Sequence, residues 1–129
     1  MRNWPNGWKR PVIRHGKPTK WDWIVLHPRD LFLGKRVDIG AFTLINAEAG
    51  VSIEDDVQIG PHCAILSKDT IGRDSGSIQI LKNACVGSHC TLLPNSVVGE
   101  RATLGAHSLL KGEVPEGETW AGVPAKRIK

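Results

Sequence analysis

The sequence predicts an all-β fold, a left-handed parallel β-helix, from a six-residue aliphatic period, glycines that follow the aliphatic place, and Pro–His and Pro–Asn pairs at turn positions. Aliphatic residues fall at Leu33, Ile39 and Ile45, at Ile53, Ile59 and Ile65, and at Ile80, Val86, Leu92, Val98, Leu104 and Leu110, always six apart within a run. A period of six suits neither an amphipathic helix nor one alternating strand. It suits short strands joined by tight turns, each repeat burying side chains against the repeats above and below.

Four places after the aliphatic residue stand Val37, Thr43, Ala49, Val57, Cys63, Ala84, Cys90, Ser96, Ala102 and Ser108, small or β-branched residues expected to point inward. Pro61-His62 and Pro94-Asn95 read as type II turns, because Pro presets φ and His or Asn tolerates positive φ; Asp56 and Asn83 hold the same place elsewhere. Three hexads make one coil, which gives about four coils, at 33–50, 53–70, 80–97 and 98–115. Ile24, Val25, Leu26 and Leu31 are expected to cover the N-terminal end. The division is a basic, Trp-rich arm (1–23), a β-helix domain (24–111) with an outside loop (67–79), and a tail (112–129) that leaves the helix at Gly112 and runs back along its side. A second, two-residue expansion lies near Ala49 and Gly50.

With 129 residues, 40% apolar, two Phe and no Tyr, the chain supports one domain with a thin core. No apolar run approaches the ~18 residues of a membrane span, and no signal-like stretch opens the chain, so a cytoplasmic protein is expected. The net charge of +4 gathers at the ends, in Arg2, Lys9, Arg10, Arg14, Lys17 and Lys20 and in Lys126, Arg127 and Lys129. Such ends suit solubility or a phosphate-bearing ligand. Nucleic acid is not expected as a partner, because zinc-finger spacing, a recognition-helix pattern and an RNA-binding aromatic signature are all missing. His62-Cys63 and His89-Cys90 do not read as a metal site: the Cys are inward and the His on corners, so they cannot converge on one tetrahedral ion.

Val86-Gly87-Ser88-His89, Leu92-Leu93-Pro94-Asn95-Ser96-Val97-Val98-Gly99, Leu104-Gly105-Ala106 and Trp120-Ala121-Gly122-Val123-Pro124-Ala125-Lys126 resemble the hexapeptide-repeat acyltransferases, especially the galactoside, maltose and xenobiotic acetyltransferase branch. The resemblance covers about residues 33–128. It implies a homotrimer with acetyl-CoA as co-substrate, held in grooves between neighbouring prisms. It also implies that Ser88, Gly105 and Ala106 line the pantetheine and that Lys111, Lys126 and Arg127 lie near the nucleotide phosphates. The acceptor it implies is a sugar hydroxyl, or the amine of a nucleotide-linked amino sugar, in surface glycan biosynthesis.

In that branch a His from the extended loop serves as base, whereas the loop here holds Lys68, Asp69, Arg73 and Asp74 but no His. His62, His89 and His107 instead share one turn place in successive coils, below Phe42, and are expected to form a column. His62 is the first candidate base, because its coil carries the insertion, and His89 the second. Turn geometry alone also favours His at this positive-φ place, so a structural role stays open. An amine that binds neutral needs little help from a base. Asn46 and Glu48, at the shorter expansion, are candidates for binding the acceptor. Trp4, Trp8, Trp21 and Trp23 suit anchoring of the arm on a neighbouring subunit, or stacking on a sugar ring. The alternative reading is a non-catalytic trimeric scaffold or binding module. A carbonic-anhydrase use of a related prism needs three His from adjoining subunits around zinc, which one column does not supply.

Overall fold

The computed structural model describes Trp4 and residues 7–129; Arg2 of the basic arm lies outside the described residues. Five coils stack on one another. The first holds β1 (Ile24–Leu26), β2 (Leu31–Leu33) and β3 (Asp38–Ile39), and the second β4 (Leu44–Asn46), β5 (Val51–Ile53) and β6 (Gln58–Ile59). The third begins with β7 (Ala64–Leu66), detours through a hairpin of β8 (Lys68–Asp69) and β9 (Asp74–Ser75), and resumes with β10 (Ile78–Ile80) and β11 (Cys85–Val86). β12 (Thr91–Leu92), β13 (Val97–Val98) and β14 (Thr103–Leu104) form the fourth, and β15 (Leu109–Leu110), β16 (Glu113–Val114) and β17 (Thr119–Ala121) the fifth. β18 (Lys126–Arg127) turns back antiparallel to β17.

The coils make three parallel faces. The first is β1-β4-β7-β12-β15, the second β2-β5-β10-β13-β16 and the third β3-β6-β11-β14-β17, with β18 at its rim. On the first face Val25, Ile45, Ile65, Leu92 and Leu110 pair in register and are all buried. Each such burial contributes about 1.5–3 kcal/mol, which is how a prism this thin holds a core. Leu33, Ile53, Ile80, Val98 and Val114 do the same on the second face.

The small inward residues have a second task. Thr43 Oγ1 donates to the Gly60 carbonyl (2.9 Å), Cys63 Sγ to Gly87 (3.1 Å) and Cys90 Sγ to Gly105 (3.0 Å), each bond tying one coil to the next. Cys63 and Cys90 therefore act as core hydrogen-bond donors. A Cβ on Gly60 would stand 2.7 Å from the Ser88 amide nitrogen, and one on Gly87 2.6 Å from that of Ala106. Glycine at these places is required by the close approach of the next coil.

The prediction of left-handed corners is met: Phe42, Asp56, His62, Asn83, His89, Asn95 and His107 all have φ between 58° and 71°. Five expectations need correction, the first being the number of coils, which is five rather than about four because β1 to β3 form a coil of their own. Ile24–Leu26 is the first strand of the first face and Leu31 opens β2, so neither is a lid. The coil continues past Gly112 through β16 and β17, and only β18 runs back. Ala47, fully buried, takes the inward place expected of Ala49, because the two extra residues follow it. The long loop closes at Ser77, since Ile78 is buried in β10; its Ile71 is 95% exposed.

On the edge between the second and third faces, Arg36 Nε donates to Asp56 Oδ1 at 2.7 Å and Nη2 to Oδ2 at 3.1 Å. This hydrogen bonding holds the Asp56 carboxyl below its ordinary value. A depressed carboxylate stabilises the fold above its unfolded value and loses that contribution as pH falls through the folded one. Asp56→Asn is expected to lower the melting temperature slightly at pH 7 and not at pH 2, as followed by circular dichroism.

Candidate functional site

Two edges of the prism gather the chemistry, and both border the first face. The edge between the third and first faces carries the column. Phe42 and His62 ring centroids lie 5.2 Å apart, His62 and His89 4.8 Å, and His89 and His107 4.7 Å, with the imidazoles within 16° of parallel. The coil repeat sets this spacing, and the chain fixes it further: His62 N–H donates to the Ala41 carbonyl, His89 N–H to Pro61 and His107 N–H to Ser88. Ser88 is half-buried beside His89, Ala106 is exposed beside His107, and Gly105 lies under Ala121, whose Cβ would meet an added Cβ at 3.0 Å. The result is a partly exposed track of small residues flanked by imidazoles. Among the described residues no hydrogen bond or ion pair joins the three rings to an acid.

The edge between the first and second faces carries the acceptor candidates. Asn46 Oδ1 accepts the Glu48 N–H at 3.1 Å, and Glu48 Oε2 lies 3.0 Å from Lys68 Nζ at the start of the loop hairpin. The hydrogen bond with Lys68 keeps the Glu48 carboxyl below its ordinary value, so it is anionic at neutral pH. Glu48 Oε1 also faces His27 Nε2 at 3.4 Å. His27 and Lys68 were given no role from the sequence. The signal that finds His27 is spacing: the eight-residue step from Ile45 to Ile53 recurs between Val25 and Leu33, which puts His27 one coil below Ala47.

The three cations expected near phosphates do not come together within one chain. Lys111 stands on the loop edge, 4.0 Å from Asp74. Lys126 and Arg127 lie exposed on β18, and Arg127 is 3.6 Å from Glu118. The arm packs on its own chain: Trp8 Nε1 donates to the Val37 carbonyl at 3.1 Å and Trp23 is buried. Trp4, Trp8, Trp21, Trp23, Arg10 and Lys20 help line a cavity of about 480 Å³ over β3. Among the described residues no helix is long and apolar enough to cross a membrane.

The class that the fold defines is a β-solenoid, a three-faced prism of parallel coils. No family model matches the chain. It is similar to WbbJ of Escherichia coli K12, named as a lipopolysaccharide biosynthesis O-acetyl transferase, with 38% identity over 56 residues, 43% of this chain and 29% of WbbJ. It is 34% identical to a serine acetyltransferase of Buchnera aphidicola over 109 residues, 80% of this chain and 37% of that one. Among solved structures it superposes on a hexapeptide-repeat acetyltransferase, VCA0836 of Vibrio cholerae, with a TM-score of 0.78 at 19% identity, covering 83% of this chain and 66% of that one. The chain has the left-handed β-helix fold of a hexapeptide-repeat acetyltransferase and is similar in sequence to several acetyltransferases. It spans about a third of the length of the curated relatives it matches.

Proposed function

We propose that the chain is an acetyl-CoA-dependent acyltransferase that acetylates a sugar hydroxyl or the amine of a nucleotide-linked amino sugar. The observation that carries this reading is the track of half-buried Ser88 and exposed Ala106 along a column of parallel imidazoles, in a chain similar to a lipopolysaccharide biosynthesis O-acetyl transferase. Pantetheine lies along the track past Ser88, Gly105 and Ala106, where small residues leave room for it. Lys126 and Arg127 of one copy, and Lys111 of another, meet the nucleotide phosphates as cations.

Among the described residues, no acid is hydrogen-bonded or ion-paired to His62 or His89 to orient it as a base. Their ring N–H groups instead donate to the thioester carbonyl oxygen as negative charge builds there. Asn46 hydrogen-bonds the acceptor, and Glu48 is held beside it by Lys68.

The two edges stand on different corners of one prism, so the reaction needs a second copy. The outward residues of the first face, Ile24, Leu44, Ala64, Thr91 and Leu109, are mostly apolar and half-buried. Both edges border that face, so three copies closing a ring through it bring the loop edge of one beside the imidazole edge of the next. We therefore propose a homotrimer with three sites.

The test incubates the protein with acetyl-CoA and N-acetylglucosamine, galactose, a dTDP-linked 4-amino sugar or L-serine, following thiol release, with mass measured by light scattering. Turnover by a trimer is expected. His62→Ala is expected to lower kcat about 100-fold, the usual cost of one oxyanion donor, with little change in the acetyl-CoA KM. A monomer that neither binds nor consumes acetyl-CoA sinks the reading and leaves a non-catalytic scaffold.

A further inference from the structure

The proposed transfer still lacks a group to take the acceptor's proton, and the loop edge holds one. His27 and Glu48 form a histidine–carboxylate pair, Nε2 to Oε1 3.4 Å, and Glu48 is fixed at both ends, by Lys68 through Oε2 and by its own N–H on Asn46. The His27 backbone is fixed as well, at φ 59° ahead of Pro28, and its N–H donates to His15 Nδ1 at 2.9 Å. That bond puts the proton of neutral His15 on Nε2, and the His15 and His27 rings meet edge to face at 5.0 Å. The pair stays reachable: the side chains of His27 and Glu48 are 41% and 39% exposed.

We infer that His27 is the general base of the transfer proposed above, with Glu48 as its positioning residue; the inference rests on that reading. Glu48 engages Nε2, which leaves the Nδ1 lone pair for the acceptor. Nδ1 takes the proton of the hydroxyl or neutral amine as its oxygen or nitrogen bonds to the thioester carbonyl carbon. The C–S bond then breaks. The sulfur leaves as CoA thiolate and takes the proton from the imidazolium, so the acetyl ester or amide and free CoA are the only products. The loop has no His because the base stands at its foot, contributed by the first coil and steadied from the second and third.

Among the described residues, His15 from the arm and Glu48 from the second coil face this imidazole, and Lys68 reaches Glu48 from the loop. The test uses His27→Asn, since Asn tolerates the positive φ, and Glu48→Gln, each melted beside the unmutated protein. Acetyl-CoA turnover with the acceptors named above gives kcat and KM from pH 5 to 9, and calorimetry gives acetyl-CoA affinity. His27→Asn is expected to lower kcat about 100-fold, to leave acetyl-CoA affinity intact and to abolish the fall in rate toward acid pH. Glu48→Gln is expected to lower kcat about 10-fold at unchanged acetyl-CoA affinity, as an orienting partner does. In His15→Gln the acid limb persists. An unchanged kcat in His27→Asn, or an acid limb that survives in it, overturns the assignment and leaves the transferase reading standing. Unmutated protein that binds no acetyl-CoA and releases no thiol overturns both.

Discussion

On the proposed reading, acetyl-CoA binding is expected to be lost when Ala106 becomes tryptophan, while the coils stay folded. Ala106 is exposed on the corner next to His107. Neighbouring imidazoles along this edge are only 4.7 Å apart, so an indole projecting from the same corner covers the ground above Ser88 and Gly105. Affinity measured by isothermal titration calorimetry should weaken about 1,000-fold, equivalent to ~4 kcal/mol. The melting temperature should hardly move, because an exposed corner substitution alters no buried contact. Undiminished affinity would put acetyl-CoA somewhere other than this edge.

The largest expected loss of stability comes from Ile65→Ala. Ile65 is fully buried in β7, at the middle of the first face, with Ile45 below it and Leu92 above. Removing a buried aliphatic side chain forfeits its transfer energy and leaves a cavity, a loss of about 2–5 kcal/mol. Coils whose backbones are bonded above and below cannot collapse onto the gap, which favours the upper half of that range. The melting temperature should drop by about 8–20 °C by circular dichroism, at roughly 4 °C per kcal/mol for a chain of this length. A drop of only a few degrees would mean that the ladder, rather than the inward side chains, sets stability.

The column of His62, His89 and His107 was legible in the sequence because one physical cause fixes both its spacing and its residue type: a left-handed corner recurring once per coil. The inward Cys were legible for the same reason. The first coil was hidden because the step from Val25 to Leu33 is eight, so the run of six does not reach it. Ala49 and Ala47 were confused at the other such step, where the register is free to place its extra residues on either side. The loop-edge cluster was out of reach for a different reason. His15 comes from the arm, outside any repeat, and His27, Glu48 and Lys68 are brought together across three coils by two unlike insertions. No single period links them; only stacking does.

Parallel coils are an unusual kind of polymer, because the last one offers the next chain the same hydrogen-bonding pattern it received from the one before. β18 interrupts that offer. It lies antiparallel on the rim of the third face, pairing Trp120 with Arg127 and Ala121 with Lys126, and it ends in exposed cations. A reversed, charged strand cannot seed another parallel turn, and it discourages the edge-to-edge growth that open sheets invite. Addition of a further parallel coil is therefore opposed at the rim of the third face.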